Sequence, residues 1–178
     1  MDDIRKTTIS FSGVLTREEF DEALAAIGWF RRLRWLFYVA AALMMTLSLR
    51  LAVEGGPINA GQLMLALVYG VFGLFLPPLL AGRMFRADQA TGEKQALIDD
   101  AGFVVSRGSE ELVRGPWKAM YRYYERERVY VVNGHLGWKA VLLIVPKRLL
   151  TATSETELVA VLTKTPFRRS KNRHEPAR

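Results

Sequence analysis

The chain of 178 residues contains no cysteine and only two histidines. Without cysteine, the sequence supports no disulfide, no thiolate nucleophile and no cysteine-ligated metal site. His135 falls in a predicted turn and His174 in a polar C-terminal tail, and neither belongs to a spacing typical of metal ligands. We therefore predict that the protein uses no metal ion and no cofactor.

Motifs typical of catalysis are equally scarce. The adjacent acidic pairs Asp99–Asp100 and Glu110–Glu111 lie at predicted turns, and neighbouring side chains on a strand point to opposite faces. Such pairs do not bring two carboxylates together for acid–base chemistry. No serine lies in a G-x-S-x-G motif, and the glycines cluster at turns and in apolar stretches rather than in a phosphate-binding loop. The sequence predicts a protein that is not an enzyme.

Charge is nearly absent from two long apolar stretches, residues 35–53 and 60–82. The first contains only Arg50 as a charged residue, and the second contains none. At about 1.5 Å per residue, each is long enough to cross the roughly 30 Å hydrocarbon core of a bilayer. We predict a transmembrane helical hairpin over residues 35–82, in which Asn59 caps the second helix and Pro77 and Pro78 disrupt its last turn.

The residues that flank these stretches predict an orientation. Basic residues lie before the first stretch and after the second, whereas the connecting loop contains Glu54 and no basic residue. Lys and Arg are retained on the cytoplasmic side, so we expect both termini in the cytoplasm. This orientation also explains the net charge of +7 without invoking nucleic acid. The predicted membrane-interface residues are Trp29, Arg31, Arg32, Arg34, Arg83 and Arg86.

The N-terminal segment, residues 1–34, contains a short predicted strand within 7–15 and an amphipathic helix over 17–27. Thr16 and Glu19 have the spacing of a capping box, in which each side chain bonds to the backbone of the other residue. Gly28 is expected to bend or end the helix. The strand could join a sheet formed by the C-terminal part of the chain.

Residues 88–165 change to the two-residue alternation of a small antiparallel β-domain. Asn133-Gly134 is typical of a tight hairpin turn, and Ser154 to Glu157 predicts a capping box before a C-terminal helix over 155–164. Residues 166–178 are basic and polar and are predicted to lack a fold. The predicted fold class is therefore a membrane α+β protein with six strands after the hairpin, at 95–99, 103–107, 111–114, 117–125, 128–132 and 138–145.

Three local motifs resemble those of the YcxB-like family of bacterial membrane proteins. They are the turn Asp100 to Gly102 with its apolar strand, the aromatic positions Trp117 and Tyr124 around Met120, and the I-V-P-K-R run at residues 144–148. The resemblance covers most of the chain. It implies a bacterial inner-membrane protein whose cytoplasmic domain is similar to a pleckstrin-homology (PH) domain, with a bent sheet and a C-terminal helix. It implies no activity.

Basic and aromatic residues alternate within the predicted β-domain and form the candidate binding surface. Such residues suit lipid phosphates or an acidic protein partner, although a solvated strand face with aromatic residues in the core gives the same pattern. We predict a membrane-anchored binding or scaffold module that engages a protein partner or anionic lipid headgroups. The alternative is a transport or channel accessory subunit that oligomerises through the hairpin. The candidate binding residues are Lys118, Arg122, Arg126, Lys147 and Arg148.

Overall fold

The computed structural model describes residues 8–57, 59–165 and 167. The chain divides into two compact units, of which one covers residues 27–86 and the other combines the first 26 residues with those from Ala87 onward. We call the first the helical hairpin and the second the β-domain. The predicted unfolded tail at 166–178 lies outside the described residues, apart from Phe167.

The helical hairpin is built from α2 (Trp29–Val53) and the longer α3 (Ala60–Thr91), of which α3 runs on into the β-domain. Helix α2 begins six residues before the predicted start at 35, because Gly28 adopts a left-handed φ of 70° and starts the new helix directly. Asn59 accepts a hydrogen bond from the Gln62 N–H at 3.2 Å, which confirms its predicted capping role.

Helix α3 does not end at Gly82 as predicted. It continues through Pro77 and Pro78 and stops at Thr91. Each proline removes one backbone N–H from the helical ladder, but the other hydrogen bonds remain, and prolines are common in apolar membrane-type helices for this reason. The proline pair therefore lies inside the helix, and the expectation of a disrupted last turn at this point is wrong.

The two helices of the hairpin pack through a small residue and a set of aromatic rings. A Cβ atom added to Gly73 would lie 2.8 Å from the Tyr38 ring, so the helices touch closely at this glycine. The Phe37 ring lies 6.4 Å from that of Tyr69 and 6.1 Å from that of Phe72. Outside this contact most apolar side chains are exposed. In the most apolar stretch of 18 residues of each helix, only 6% of α2 and 17% of α3 is buried.

The β-domain contains two antiparallel sheets. The first has four strands in chain order, β1 (Ile9–Gly13), β2 (Lys94–Ile98), β3 (Gly102–Arg107) and β4 (Glu110–Pro116). Ile9 pairs with Ile98 and Gly13 with Lys94, so the N-terminal strand does join the sheet formed by the C-terminal part of the chain.

The second sheet has three strands, β5 (Met120–Glu125), β6 (Val129–Leu136) and β7 (Lys139–Pro146). The predicted strand over 117–125 is too long, because Trp117–Ala119 forms a single 3-10 turn. This turn buries Trp117 beside the Phe103 ring, with 5.7 Å between the ring centroids. The burial of a large aromatic side chain therefore outweighs the alternating pattern at the start of the strand.

The hairpin turn of the second sheet also differs from the prediction. Asn133 and Gly134 lie within β6, and the turn consists of Gly137 and Trp138, because Leu136 pairs with Lys139. Gly134 is needed for close packing rather than for a turn. A Cβ atom at this position would lie 2.4 Å from the Ala119 carbonyl oxygen.

Two helices complete the β-domain. Helix α1 (Arg17–Ile27) has the predicted bounds, and its capping box is confirmed by hydrogen bonds in both directions between Thr16 and Glu19, at 2.8 and 3.3 Å. Helix α4 (Ala152–Lys164) begins three residues earlier than predicted. Its cap is Thr151 and not Ser154, since the Thr151 hydroxyl accepts the Ser154 N–H at 3.2 Å.

The main core joins the two sheets and α4. Tyr130 and Val132 face this core, while alternation places Val129 and Val131 on the opposite face of β6, and all four are buried. The second sheet is therefore covered on both faces. The buried members of the main core are Ile9, Ile98, Phe103, Trp117, Met120, Tyr130, Val132, Leu143, Val145, Leu158, Val161 and Leu162.

Candidate functional site

The strand register separates the predicted binding residues into two groups at opposite ends of the second sheet. Met120 pairs with Gly134, and Leu136 with Lys139, which places these residues at the end that carries the Gly137-Trp138 turn. Val129 pairs with Pro146 at the other end. We call them the Trp138 end and the Pro146 end.

Lys118 immediately precedes β5 and so belongs to the Trp138 end. Arg126 follows the last residue of β5, while Lys147 and Arg148 follow β7, so these three belong to the Pro146 end. Arg122 pairs with Asn133 between the two ends. The five residues therefore do not form one surface.

Lys147 and Arg148, two of the cations of the Pro146 end, are committed to contacts within the β-domain. Lys147 Nζ lies 3.1 Å from Glu125 Oε1 and 4.6 Å above the centre of the Tyr130 ring. Arg148 Nε lies 2.6 Å from Glu19 Oε1, and its Nη2 donates to the Val14 carbonyl at 2.6 Å. These two predicted binding residues hold the β-domain together.

Glu19 is the buried partner in this network. Its side chain is only 4% exposed, whereas that of Arg148 is 47% exposed. Burial raises the pKa of Glu19, but hydrogen bonds from Arg148 and Thr16 outweigh burial and hold the pKa below its ordinary value. Glu19 is therefore a carboxylate at neutral pH, and Arg148 is its counter-ion.

Two more basic residues occupy the loop between β5 and β6. Arg128 pairs with Glu18, and its backbone N–H donates to Glu22 Oε1 at 3.4 Å. The Arg126 N–H donates to the Val129 carbonyl at 2.9 Å, while its buried Nε has no hydrogen-bond partner among the described residues. This loop is thus linked to α1, and Glu18 of that helix neutralises the charge of Arg128.

The Trp138 end is different. Lys118 and Lys139 are exposed, Arg122 is half-buried, and within the described part of the chain none of the three forms an ion pair. Trp138 is fully exposed, with 102% of the reference surface of a tryptophan. The Trp138 end therefore presents free positive charge beside a large exposed aromatic side chain.

Strand β5 contains an irregularity near the Trp138 end, which the alternation of residues in the sequence did not predict. The register shifts between Met120 and Arg122, so Met120 is buried while Tyr121 is half-exposed. Tyr121 stacks on His135 with 5.4 Å between ring centroids and 15° between ring planes. Lys118, Met120 and Arg122 consequently do not lie on one face, as strict alternation of side chains along a strand would require.

A second polar contact links β6 to α4. The Tyr130 hydroxyl donates to Glu155 Oε1 at 2.9 Å. Burial, assisted by this hydrogen bond, raises the pKa of the Tyr130 hydroxyl well above its ordinary value of 10.0. Tyr130 therefore stays neutral and serves as a structural donor.

An apolar cavity of about 180 Å³ lies between the two sheets. Its lining includes Phe11, Ala96, Val105, Val113, Val141 and Leu143, and the Lys94–Asp88 ion pair stands at its border. Among the described residues that line the cavity, only Asp88 and Lys94 have charged side chains, and they neutralise one another, so the cavity does not resemble a site for chemistry. Among the described residues, no three or more His, Cys, Asp and Glu side chains are placed to hold a metal ion.

The predicted membrane-interface residues all lie at one end of the helical hairpin. Each is exposed, and they occupy either the start of α2 or the stretch of α3 after Ala81. Counted from the connecting loop at about 1.5 Å per residue, the residues of the two groups stand between about 28 and 39 Å along their helices. The structure thus brings Trp29, Arg31, Arg32, Arg34, Arg83 and Arg86 to the same end of the helical hairpin.

Comparison of the chain with protein-family models, with curated proteins and with solved structures gives no match in any of the three.

Proposed function

We propose that the protein is a non-enzymatic, membrane-anchored binding module of the bacterial inner membrane. Its helical hairpin spans the bilayer with both termini in the cytoplasm, and its β-domain is a PH-like module of the YcxB-like type. The main support for membrane insertion is the exposure of α2 and α3, whose most apolar 18-residue windows have mean hydropathies of 1.9 and 2.2. An apolar helix inside a soluble core would instead be mostly buried.

The charges at the helix ends support the orientation. Five arginines lie at the end of the helical hairpin away from the connecting loop, whereas Arg50 and Glu54 form an ion pair beside the loop. A span of about 28 to 39 Å separates the five arginines from the loop, which fits a bilayer core of about 30 Å. This distribution matches the positive-inside rule.

The layout of the β-domain supports the PH-like assignment. Its sheets of four and three antiparallel strands are followed by a C-terminal helix. Trp117, Met120 and Tyr124, three residues on which the family resemblance depends, are all buried. Their role in this domain is thus packing, and the binding function must lie elsewhere on its surface.

The observation that favours a binding function is the contrast between the two ends of the second sheet. Ion pairs neutralise Lys147 and Arg148, whereas Lys118 and Lys139 have no acidic partner among the described residues. Unpaired lysines at one end of a small domain suit an anionic partner, either lipid headgroups or an acidic protein.

Topology is tested first, since the absence of cysteine allows single-cysteine labelling. Gly56→Cys and Ser109→Cys variants are expressed in cells and treated with a membrane-impermeant maleimide. We expect labelling of position 56 only. Labelling of position 109 instead would place the β-domain outside the cytoplasm and contradict the proposed orientation.

Binding is tested with the charge-reversal variant Lys118→Glu/Lys139→Glu in the full chain. We expect it to lose recovery of the anionic partner or lipid from membranes. The matched control is Arg107→Glu, because Arg107 flanks the other exposed hairpin and already pairs with Glu110. Equal recovery with all three proteins would contradict a basic binding surface, and a stable oligomer of the full chain in detergent would favour the transport-subunit alternative.

A further inference from the structure

The β-domain contains two β-hairpins whose turns have the same backbone conformation but different side chains. In both, the turn has two residues and begins with a glycine at positive φ, at 56° for Gly108 and 62° for Gly137. This geometry is that of a type II′ turn. The second turn residue is Ser109 in one hairpin and Trp138 in the other, so turn formation itself does not require tryptophan.

The residues beside the two turns also differ in charge. Arg107 and Glu110 flank the serine turn and neutralise one another across a distance of 2.6 Å. The tryptophan turn is flanked by Leu136 and the exposed Lys139, which has no acidic partner among the described residues. One hairpin therefore ends in a neutral polar tip, and the other in an exposed aromatic side chain with a free cation.

We propose that the Gly137-Trp138 turn is a membrane-docking tip. Trp138 inserts into the headgroup layer of an anionic bilayer, its neighbour Lys139 binds lipid phosphates, and Lys118 at the same end of the sheet adds positive charge. Tryptophan prefers the membrane–water interface because its ring is apolar and its N–H still finds a polar partner. Lysines near an anionic surface add an attraction that depends on salt. This inference rests on the proposed function and names its anionic partner as lipid.

The shape of the tip favours lipid over a protein partner. A stable protein interface buries about 800 Å² on each side around anchors held in pockets. Among the described residues, the Trp138 end offers one fully exposed ring together with the half-exposed Tyr121 and the partly buried Leu136. A two-residue protrusion cannot supply such an area, whereas a headgroup layer deforms around it.

The experiment places an environment-sensitive fluorophore beside the tip and leaves Trp138 intact. Ala140, an exposed residue opposite His135 in β7, is replaced by cysteine in the full chain and labelled with a nitrobenzoxadiazole group. The labelled protein is reconstituted at one copy per nanodisc, with either neutral lipid or a mixture containing phosphatidylglycerol. Ser109→Cys, labelled in the same way, reports on the neutral hairpin.

We expect the Ala140 probe to emit at shorter wavelength in anionic nanodiscs than the Ser109 probe. Trp138→Ser should abolish this shift, and it should leave the fold intact because it creates the Gly-Ser turn that this chain already uses. Replacing either Lys118 or Lys139 with serine should lower the ratio of docked to free tip about fivefold at low salt.

Three results would overturn the proposal. The first is aqueous emission of the Ala140 probe in both lipid compositions. The second is a shift that survives Trp138→Ser. The third is a shift that appears only with several copies per disc, which would assign the tip to contact with another protein chain. None of these results bears on the labelling of Gly56 and Ser109, so the proposed topology can stand if the docking tip fails.

Discussion

Arg148 and Glu19 form an ion pair across 129 positions of the chain, and the acid is almost fully buried. The bond joins α1, which precedes the helical hairpin, to the segment after β7. Together with the pairing of β1 and β2, it links the N-terminal part of the β-domain to the part that follows the hairpin. The basic residue that sequence reasoning assigned to ligand binding thus has a structural task.

Arg148→Met should destabilise the β-domain by about 2 kcal/mol, because it leaves the Glu19 carboxylate buried without its counter-ion. Arg128→Met is the matched control, since its pair with Glu18 is exposed on both sides and should cost no more than about 0.5 kcal/mol. Chemical denaturation of the reconstituted protein, followed by near-ultraviolet circular dichroism, measures both. Similar losses for the two variants would show that Glu19 does not depend on Arg148.

Acid should weaken the β-domain through Glu19. Because hydrogen bonds hold its pKa below the ordinary value of 4.5, the unfolded chain takes up this proton before the folded one does. The stabilisation from ionised Glu19 is therefore complete above about pH 4.5 and is lost as the pH falls through the lower folded pKa. Glu19→Gln should flatten this dependence, and an unchanged slope below pH 4.5 would assign the acid sensitivity to other groups.

Thr151→Ala should destabilise α4 by about 1 kcal/mol, because its hydroxyl caps the first turn. Ser154→Ala is the control, because the backbone N–H of residue 154 still donates to the Thr151 hydroxyl. Only the contact between the two hydroxyls is lost. Thermal unfolding of both variants discriminates the observed cap from the one that the capping-box pattern predicts. A larger loss for Ser154→Ala would support the pattern instead.

Local signals predicted much of this fold. The bounds of α1, its capping box and the Asn59 cap follow from side chains that bond within one helical turn, and such bonds depend on neighbouring residues alone. The errors arise where distant packing decides. Trp117 leaves the alternating pattern to enter the core, and Asn133-Gly134 stays in a strand because Ala119 approaches it closely.

The candidate site was only partly predictable for the same reason. Composition identified the basic residues, but their acidic partners are distant in sequence, as with Arg148 and Glu19 or Lys147 and Glu125. No sequence pattern distinguishes a paired from an unpaired lysine at such separations. The exposure of Trp138 was missed because the turn was predicted four residues too early, so this tryptophan was assigned to a strand.

Gly134→Ala should destabilise the β-domain by about 2 kcal/mol or more, because the new Cβ would meet backbone atoms, with the Ala119 oxygen at 2.4 Å and Met120 Cα at 2.8 Å. Gly13→Ala provides the comparison. Its Cβ would meet the end of the Leu149 side chain at 2.6 Å, which can rotate away, so a loss below about 1 kcal/mol is expected. Chemical denaturation that ranks the two variants in the opposite order would contradict the role assigned to Gly134.

Tyr130→Phe removes the hydroxyl that donates to Glu155 and should cost about 1 kcal/mol at neutral pH. The difference in stability between this variant and the wild-type protein should change at alkaline pH and not at acidic pH. Since the folded pKa of Tyr130 is raised, the unfolded chain loses this proton first, and wild-type stability falls as the pH rises above about 10.0. The phenylalanine variant lacks this titration, so the gap between the two proteins should narrow above pH 10, as measured by denaturation at a series of pH values. A constant gap across that range would show that the hydroxyl ionises as easily in the folded protein as in the unfolded chain.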